Sequence, residues 1–166
     1  MDSIKQKIVE SKTKQGLNWA KIQEVENFAY TVKRYRQGKI DKDIFRRFRL
    51  QQGAYGSRMT DDYSMIRIKA PAGQIYPHQL KKLAQLSEAF SIGSAHVSTR
   101  QSIQLHWVVL EDVSEVMRGL AEVGMTSREA CGNSVRNVMC SPLAGVFSNE
   151  AFDTTPYAFA ITKFFL

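Results

Sequence analysis

The sequence has few cysteines and no long hydrophobic run, and each absence excludes a class of protein. Its two cysteines, Cys131 and Cys140, are spaced C-x8-C. Zinc and iron–sulfur sites normally use four ligands in closer pairs, so we expect reduced thiols, with a disulfide or a ligand role as the alternatives. No apolar stretch is long enough to cross a bilayer, and residues 1–14 lack the apolar centre of a signal peptide. These features predict a cytoplasmic protein that has no membrane partner.

The length and composition suit one compact domain, or one domain and the start of another. The chain has 166 residues, of which 43% are hydrophobic, and this is enough to form a buried core. The sequence contains neither an internal repeat nor a low-complexity tract. Its predicted strands lack the aromatic pattern on which RNA bases stack, so we do not expect a nucleic acid as partner.

Positive charge is in excess and is concentrated in one stretch. The net charge is +7, which by itself fits nucleic acid, a membrane surface, an acidic protein or an anionic small molecule. The cations of the most basic stretch are Lys33, Arg34, Arg36, Lys39, Lys42, Arg46, Arg47 and Arg49. Such a run usually forms a solvated helical face, and a docking surface for an acidic electron donor is the alternative.

Hydrophobic periodicity divides the chain into a helical first part and a mixed second part. Apolar residues recur at steps of three or four over residues 18–36 and 41–52, which predicts two helices. The elements predicted next are strand 63–69, helix 77–90, strands 95–99 and 103–109, helix 113–124 and strand 135–140. This β-α-β-β-α-β order predicts an α+β fold with the split βαβ arrangement of ferredoxin-like domains.

The last residues carry a helix-start signal without a later stop signal. Asp153, Thr154 and Thr155 precede Pro156, and an apolar run continues to Leu166. Because nothing downstream covers this apolar end, we infer truncation or a continuation of the chain.

Two groups of polar residues lie on predicted strands. Arg67 and Lys69 share one face of strand 63–69 and form a candidate anion clamp, although a solvent-facing strand surface is the more ordinary interpretation. Arg100, Gln104 and His106 combine a cation, an amide and an imidazole in and beside strand 103–109. This combination suits a ligand with carboxylate groups, whereas a lone strand histidine is seldom a metal ligand.

A third group surrounds Arg136. Gly132 and Asn133 precede it and Asn137 follows it. Small and polar residues around one arginine suit a backbone that approaches a ligand closely. A loop whose arginine caps a neighbouring element fits the same residues equally well.

Four motifs in this order resemble the first half of the sulfite/nitrite reductase haemoproteins. They are GAYGSR at 53–58, MIRIKAPAG at 65–73, STRQSIQLH at 98–106 and CGNSVRNV at 131–138. The resemblance covers most of the chain from about residue 40. It implies a helical segment at 1–52, a ferredoxin-like half-domain at 53–127 and, at 128–166, the beginning of an α/β domain for sirohaem and a 4Fe-4S cluster.

The resemblance also implies roles for individual residues. Arg67 and Arg136 correspond to the catalytic contacts with the substrate anion at the distal face of the sirohaem. The implied sirohaem contacts are Arg100, Gln104, His106, Asn133 and Asn137. Cationic side chains are chemically suited to these roles, because sulfite and nitrite are small anions and sirohaem carries many carboxylates.

The family pattern is incomplete in this sequence. The C-x5-C and C-x3-C cysteines that hold the family's cluster are absent, and so are its later active-site lysines. We therefore expect the N-terminal part of an enzyme that reduces sulfite to sulfide or nitrite to ammonia with six electrons, and that is inactive without its C-terminal part. The expected electron donor is an acidic protein such as ferredoxin. A non-catalytic module that binds a tetrapyrrole or a partner protein is the alternative.

Overall fold

A four-stranded antiparallel sheet forms the centre of the structure. The computed structural model describes residues 19–57, 60 and 62–166. The strands are β1 (Ala54–Gly56), β2 (Tyr63–Ile68), β3 (His96–Val97) and β4 (Ile103–Val109). The helices are α1 (Ile22–Arg36), α2 (Lys42–Gln51), α3 (Pro77–Phe90), α4 (Val113–Glu122) and α5 (Thr155–Phe164). Across the sheet the strands follow the order β1-β2-β4-β3.

The first two helices form where hydrophobic periodicity and capping predict them. α1 begins at Ile22, while the predicted start at Asn18 lies outside the described residues. The Asp41 carboxylate caps α2 by accepting hydrogen bonds from the backbone N–H groups two and three residues on. Stacked rings join the two helices, since the Tyr35 and Phe45 centroids are 4.1 Å apart.

Side-chain alternation gives the sheet one apolar face and one polar face. Ile66, Ile68 and Leu105 are fully buried on the face that packs against the helices. Arg67 and Gln104 lie opposite each other on β2 and β4, on the polar face. The main core cluster consists of Val25, Phe28, Val32, Phe45, Ala54, Ile66, Ile68, Leu83, Leu86, Ile103, Leu105, Val108, Leu110, Val113, Val116, Met117, Leu120 and Met125.

A β-bulge at Trp107 keeps this division of faces along β4. Trp107 has a φ of 61°, a conformation that bulky residues seldom adopt, and the β2–β4 register shifts between Ser64 and Ile66. The additional residue returns Val108 to the core. Trp107 itself stays half-exposed and meets the ring of Tyr63 edge-on at 5.9 Å between centroids.

The fourth strand of the sheet is β1, and the prediction of a strand at 135–140 is wrong. Residues 135–140 follow an irregular path, whereas Ala54 of β1 pairs with Ile66 of β2. Gly53, the residue before β1, has a φ of 81°, and a Cβ there would collide with the Ser127 carbonyl. A three-residue strand is too short to show alternation in the sequence. The other five elements of the predicted order are present, so the α+β class is confirmed.

α5 packs back onto the sheet domain near the chain's first described residues. The ring centroids of Trp19 and Phe159 are 6.0 Å apart, while Phe164 is 82% exposed. None of the helices in the described part of the chain has the length and hydropathy that a bilayer-spanning helix needs.

We predict that core truncation at Leu105 destabilises the chain far more than the same change on an exposed helix face. Leu105 is fully buried and Leu80 of α3 is 60% exposed. Leu105→Ala should lower the free energy of unfolding by about 2–5 kcal/mol, because it leaves a cavity. Leu80→Ala should cost roughly 0.5 kcal/mol or less. Urea denaturation measures both, and equal losses would contradict the assigned core.

Candidate anion-binding site

Three arginines from separate parts of the sequence meet at one end of the polar sheet face. Arg67 comes from β2, Arg100 from the turn between β3 and β4, and Arg136 from the loop after α4. They line one cavity of about 110 Å³, which we call the arginine cavity. Its other lining residues are Ser98, Thr99, Ser102 and Asn137. None of these described lining residues is acidic, so the cavity suits a small anion.

The Arg67 guanidinium is held in place from two sides. When the Gln104 amide oxygen is turned toward it, this oxygen accepts hydrogen bonds from Arg67 Nε at 3.1 Å and Nη2 at 2.8 Å. The central guanidinium carbon lies 5.4 Å from the centroid of the Tyr55 ring. Arg67 is therefore oriented before any ligand binds.

His106 lies two residues beyond Gln104 on the same face of β4. Burial lowers the pKa of its imidazole, and the neighbouring charges of His96 and Arg67 lower this pKa further. The ring centroids of His96 and His106 are 6.3 Å apart. A neutral imidazole has one donor and one acceptor nitrogen, so His106 is suited to hydrogen bonding.

Asn137 is buried and fastens the loop after α4 to the sheet. Its Oδ1 accepts a hydrogen bond from the Ala70 backbone N–H at 3.1 Å. Its Nδ2 donates to the carbonyls of Ala70 at 2.8 Å and Arg100 at 2.9 Å. Because both amide N–H groups bond within the protein, Asn137 positions Arg100 and Arg136 and has no spare donor for a ligand.

Two further hydrogen bonds fix the same loop. The Ala72 backbone N–H donates to the Val138 carbonyl at 2.9 Å. The Gln101 amide donates to the Cys140 carbonyl at 3.1 Å. Residues 135–140, for which the sequence predicts a strand, are thus joined to the sheet domain largely by side-chain hydrogen bonds.

The structure brings some of the predicted residues together and separates others. Gln104 lies behind Arg67, and Asn133 is exposed on the loop outside the arginine cavity. Lys69, predicted with Arg67 as an anion clamp, is buried and does not line the cavity. Arg58, the last residue of the GAYGSR motif, lies outside the described residues.

Sequence reasoning does not single out Tyr55 and Cys131 as neighbours of the site. Burial raises the pKa of the Cys131 thiol to about 12, against the opposing effects of Arg67, a hydrogen bond with Tyr55, and Arg136. Cys131 and Cys140 are both free thiols. The signal for Tyr55 in the sequence is its place in the GAYGSR motif.

The chemistry of these residues favours anionic ligands over a directly bound metal ion. Within the described ranges, no group of three or more His, Cys, Asp or Glu side chains is placed to hold a metal. The polar face has guanidinium groups for carboxylates and for a small anion, and a neutral imidazole for a directional hydrogen bond.

Comparison with protein families gives a match over the sheet and the helices α3 and α4. Residues 55–123 match the model described as the nitrite/sulfite reductase ferredoxin-like half domain. Sulfite reductase (ferredoxin) 1 of Mycolicibacterium paratuberculosis is 37% identical over 133 residues, which are 70% of this chain and 24% of that protein. The chloroplastic ferredoxin–nitrite reductase of Arabidopsis thaliana is 40% identical over 101 residues, covering 60% of this chain and 17% of that protein.

A solved structure has the same fold over nearly the whole chain. The NirA protein of Mycobacterium tuberculosis matches with a TM-score of 0.71 and 30% identity, over 95% of this chain and 31% of that one. The chain spans about a quarter of the length of the sulfite reductase of Mycolicibacterium paratuberculosis. The motifs, the fold and these matches show that the chain belongs to the nitrite/sulfite reductase family and contains its ferredoxin-like half-domain.

Proposed function

We propose that the chain forms one wall of the site at which a sirohaem-dependent reductase converts sulfite to sulfide or nitrite to ammonia. The observation that best supports this is the arginine cavity, a space the size of a small anion that is lined by Arg67, Arg100 and Arg136. The activity is proposed for the chain together with the additional segments that its longer relatives have.

Arg67 and Arg136 are the proposed catalytic residues. Both line the arginine cavity, and a guanidinium group offers several N–H donors in a fixed geometry together with a positive charge. The six-electron reduction adds negative charge to the anion and to the species formed from it. Fixed cations stabilise this charge as it develops. Hydrogen bonds from the guanidinium N–H groups to the anion's oxygens hold it in place while solvent supplies the protons.

The polar sheet face fits a tetrapyrrole that carries many carboxylates. The helices that form the core lie on the opposite face. Arg100, in the turn between β3 and β4, and Asn133, in the loop after α4, are both exposed. We assign sirohaem contacts to Arg100, Gln104, His106 and Asn133, and we assign to Asn137 the role of holding the Arg100 backbone beside the cofactor. When bound, sirohaem supplies the iron at which the anion is reduced. The ligands of the 4Fe-4S cluster are proposed to lie outside this chain.

We predict that Arg67→Ala and Arg136→Ala each weaken anion binding by about 10- to 100-fold, because each removes charged hydrogen bonds worth roughly 1.5–3 kcal/mol. The measurement is the change in the visible absorption spectrum of the complete sirohaem-loaded protein during titration with sulfite and nitrite.

The matched control is Arg47→Ala, because Arg47 is exposed on α2 and lies outside the arginine cavity. It should leave both titrations unchanged. Unaltered affinity in both cavity variants would contradict the assignment of the anion site. A spectrum that shows bound tetrapyrrole but no response to either anion would instead favour the non-catalytic module.

The exposed cations of α1 and α2 are the proposed docking surface for an acidic donor such as ferredoxin. Lys33 and Arg34 are exposed near the end of α1. Arg36 is engaged internally, because its guanidinium bonds Glu111 at 2.6 Å and Asp62 at 3.0 Å. Relatives of this chain are named as ferredoxin-type reductases, and a basic surface speeds encounter with an acidic protein.

We predict that the Lys33→Glu/Arg34→Glu double variant is reduced more slowly by ferredoxin at low salt, by about tenfold, and that the difference shrinks as salt screens the charges. Stopped-flow reduction of the holoenzyme measures this, and dithionite should reduce both proteins at the same rate. Lys81→Glu, on the exposed face of α3, is the control reversal. An equal loss in that control would contradict a local docking surface.

A further inference from the structure

A buried lysine lies next to the anion site without lining the arginine cavity. Lys69 is only 2% exposed, although it follows Arg67 by two residues on the same face. Its Nζ donates a hydrogen bond to the Val135 carbonyl at 3.2 Å. Burial of an ammonium group is costly, so a lysine here calls for a reason beyond filling space.

The acceptor of this hydrogen bond is the carbonyl of the peptide group that leads into Arg136. A peptide group is planar, so fixing the Val135 carbonyl also fixes the backbone nitrogen of Arg136. On the other side, Asn137 is bonded to the Ala70 backbone. The backbone of Arg136 is therefore held at both flanks by residues 69 and 70, directly after β2.

We propose that Lys69 is a positioning residue for the anion site, whose ammonium group holds the Val135 carbonyl and so presents the Arg136 guanidinium to the anion. An arginine on a loop without strand pairing must otherwise be ordered when the ligand binds, which weakens binding. The expected effect of Lys69 on anion affinity rests on the proposed function, whereas its hydrogen bond to the Val135 backbone does not.

The surroundings of Lys69 make its hold sensitive to pH. Its charged neighbours are Glu129, which favours the ammonium form, and Arg128, which opposes it. A small cavity beside Lys69 is lined otherwise by Trp19, Pro71, Gln74, Tyr76, Gln79, Met125 and Phe159, none of which is a carboxylate, a histidine or another cation. Burial lowers the pKa of Lys69 from 10.5 to about 8.

Stability and anion affinity should therefore respond to pH in opposite directions. Between the folded pKa of about 8 and the unfolded value of 10.5, the unfolded chain binds more protons, so the contribution of Lys69 to stability rises with pH. The hydrogen bond to Val135 is stronger from ammonium than from a neutral amine, so the hold on Arg136 weakens over the same range. If Lys69 had a purely structural role, stability and anion affinity would not change in opposite directions with pH.

The test compares Lys69→Met, Lys69→Arg and the exposed control Lys81→Met in the complete sirohaem-loaded protein. Nitrite is the probe, because it remains a monoanion at both about pH 7 and about pH 9.5. We expect Lys69→Met to lose about tenfold in nitrite affinity at the lower pH. Wild type and Lys81→Met should lose affinity on going to the higher pH, whereas Lys69→Arg should retain it, because guanidinium does not titrate there.

A second measurement is independent of anion binding. The Ala72 N–H donates to the Val138 carbonyl, and the Ala70 N–H donates to Asn137. Hydrogen exchange at these amides should accelerate in Lys69→Met relative to the amides of α4. If wild type binds no anion at all, the proposed function fails and the exchange rates alone decide the role of Lys69.

Two results would overturn the proposal. The first is a Lys69→Met protein that matches wild type at both pH values in two quantities: its nitrite affinity and the hydrogen-exchange rates of the Ala70 and Ala72 amides. The other applies if Lys69→Met does not fold: wild-type nitrite affinity that stays constant between about pH 7 and about pH 9.5.

Discussion

The hydrogen bonds between the Asn137 amide and the Ala70 backbone are the interaction on which the candidate site depends. They join the irregular loop after α4 to the continuation of β2, where no strand ladder is available. The same amide holds the Arg100 carbonyl, so one buried side chain connects the three chain segments that supply the arginines. In this respect Asn137 takes the place of backbone pairing, which leaves the neighbouring arginine side chain available for a ligand.

The rest of the fold supports this junction because the sheet has its apolar side chains on one face and its polar side chains on the other. Ile66 and Leu105 anchor the sheet against the helices, while Arg67 and Gln104 occupy the opposite face of the same two strands. Arg67, Arg100 and Arg136 line one cavity, where like charges close to one another disfavour the folded state, and burial of the apolar core offsets this cost. An anion in the cavity relieves the repulsion, so the charge arrangement is suited to a site whose natural state includes an anionic ligand.

Sequence patterns predict the elements that are long and periodic, and they fail where tertiary contacts decide. The helix from Pro77 and the strand Ile103–Val109 have the predicted bounds, because proline at a helix start and a run of strand formers are local signals. β1 is too short for a periodic signal. The segment 135–140 has a strand-like composition, but Lys69 and Asn137 fix it by side-chain hydrogen bonds. Similarly, the two-residue spacing correctly places Arg67 and Lys69 on one face of the strand. It does not predict that Lys69 is buried, because the contact of Lys69 with the loop after α4 is a tertiary one.

The central claim is that Arg67 and Arg136 hold the substrate anion on the polar sheet face. The most direct measurement is a crystal structure of the complete sirohaem-loaded protein with bound sulfite. The account predicts an anion within hydrogen-bonding distance of both guanidinium groups, with Asn137 still bonded to Ala70 and Arg100. An anion bound away from both arginines, or a sirohaem that does not contact this sheet face, would contradict it.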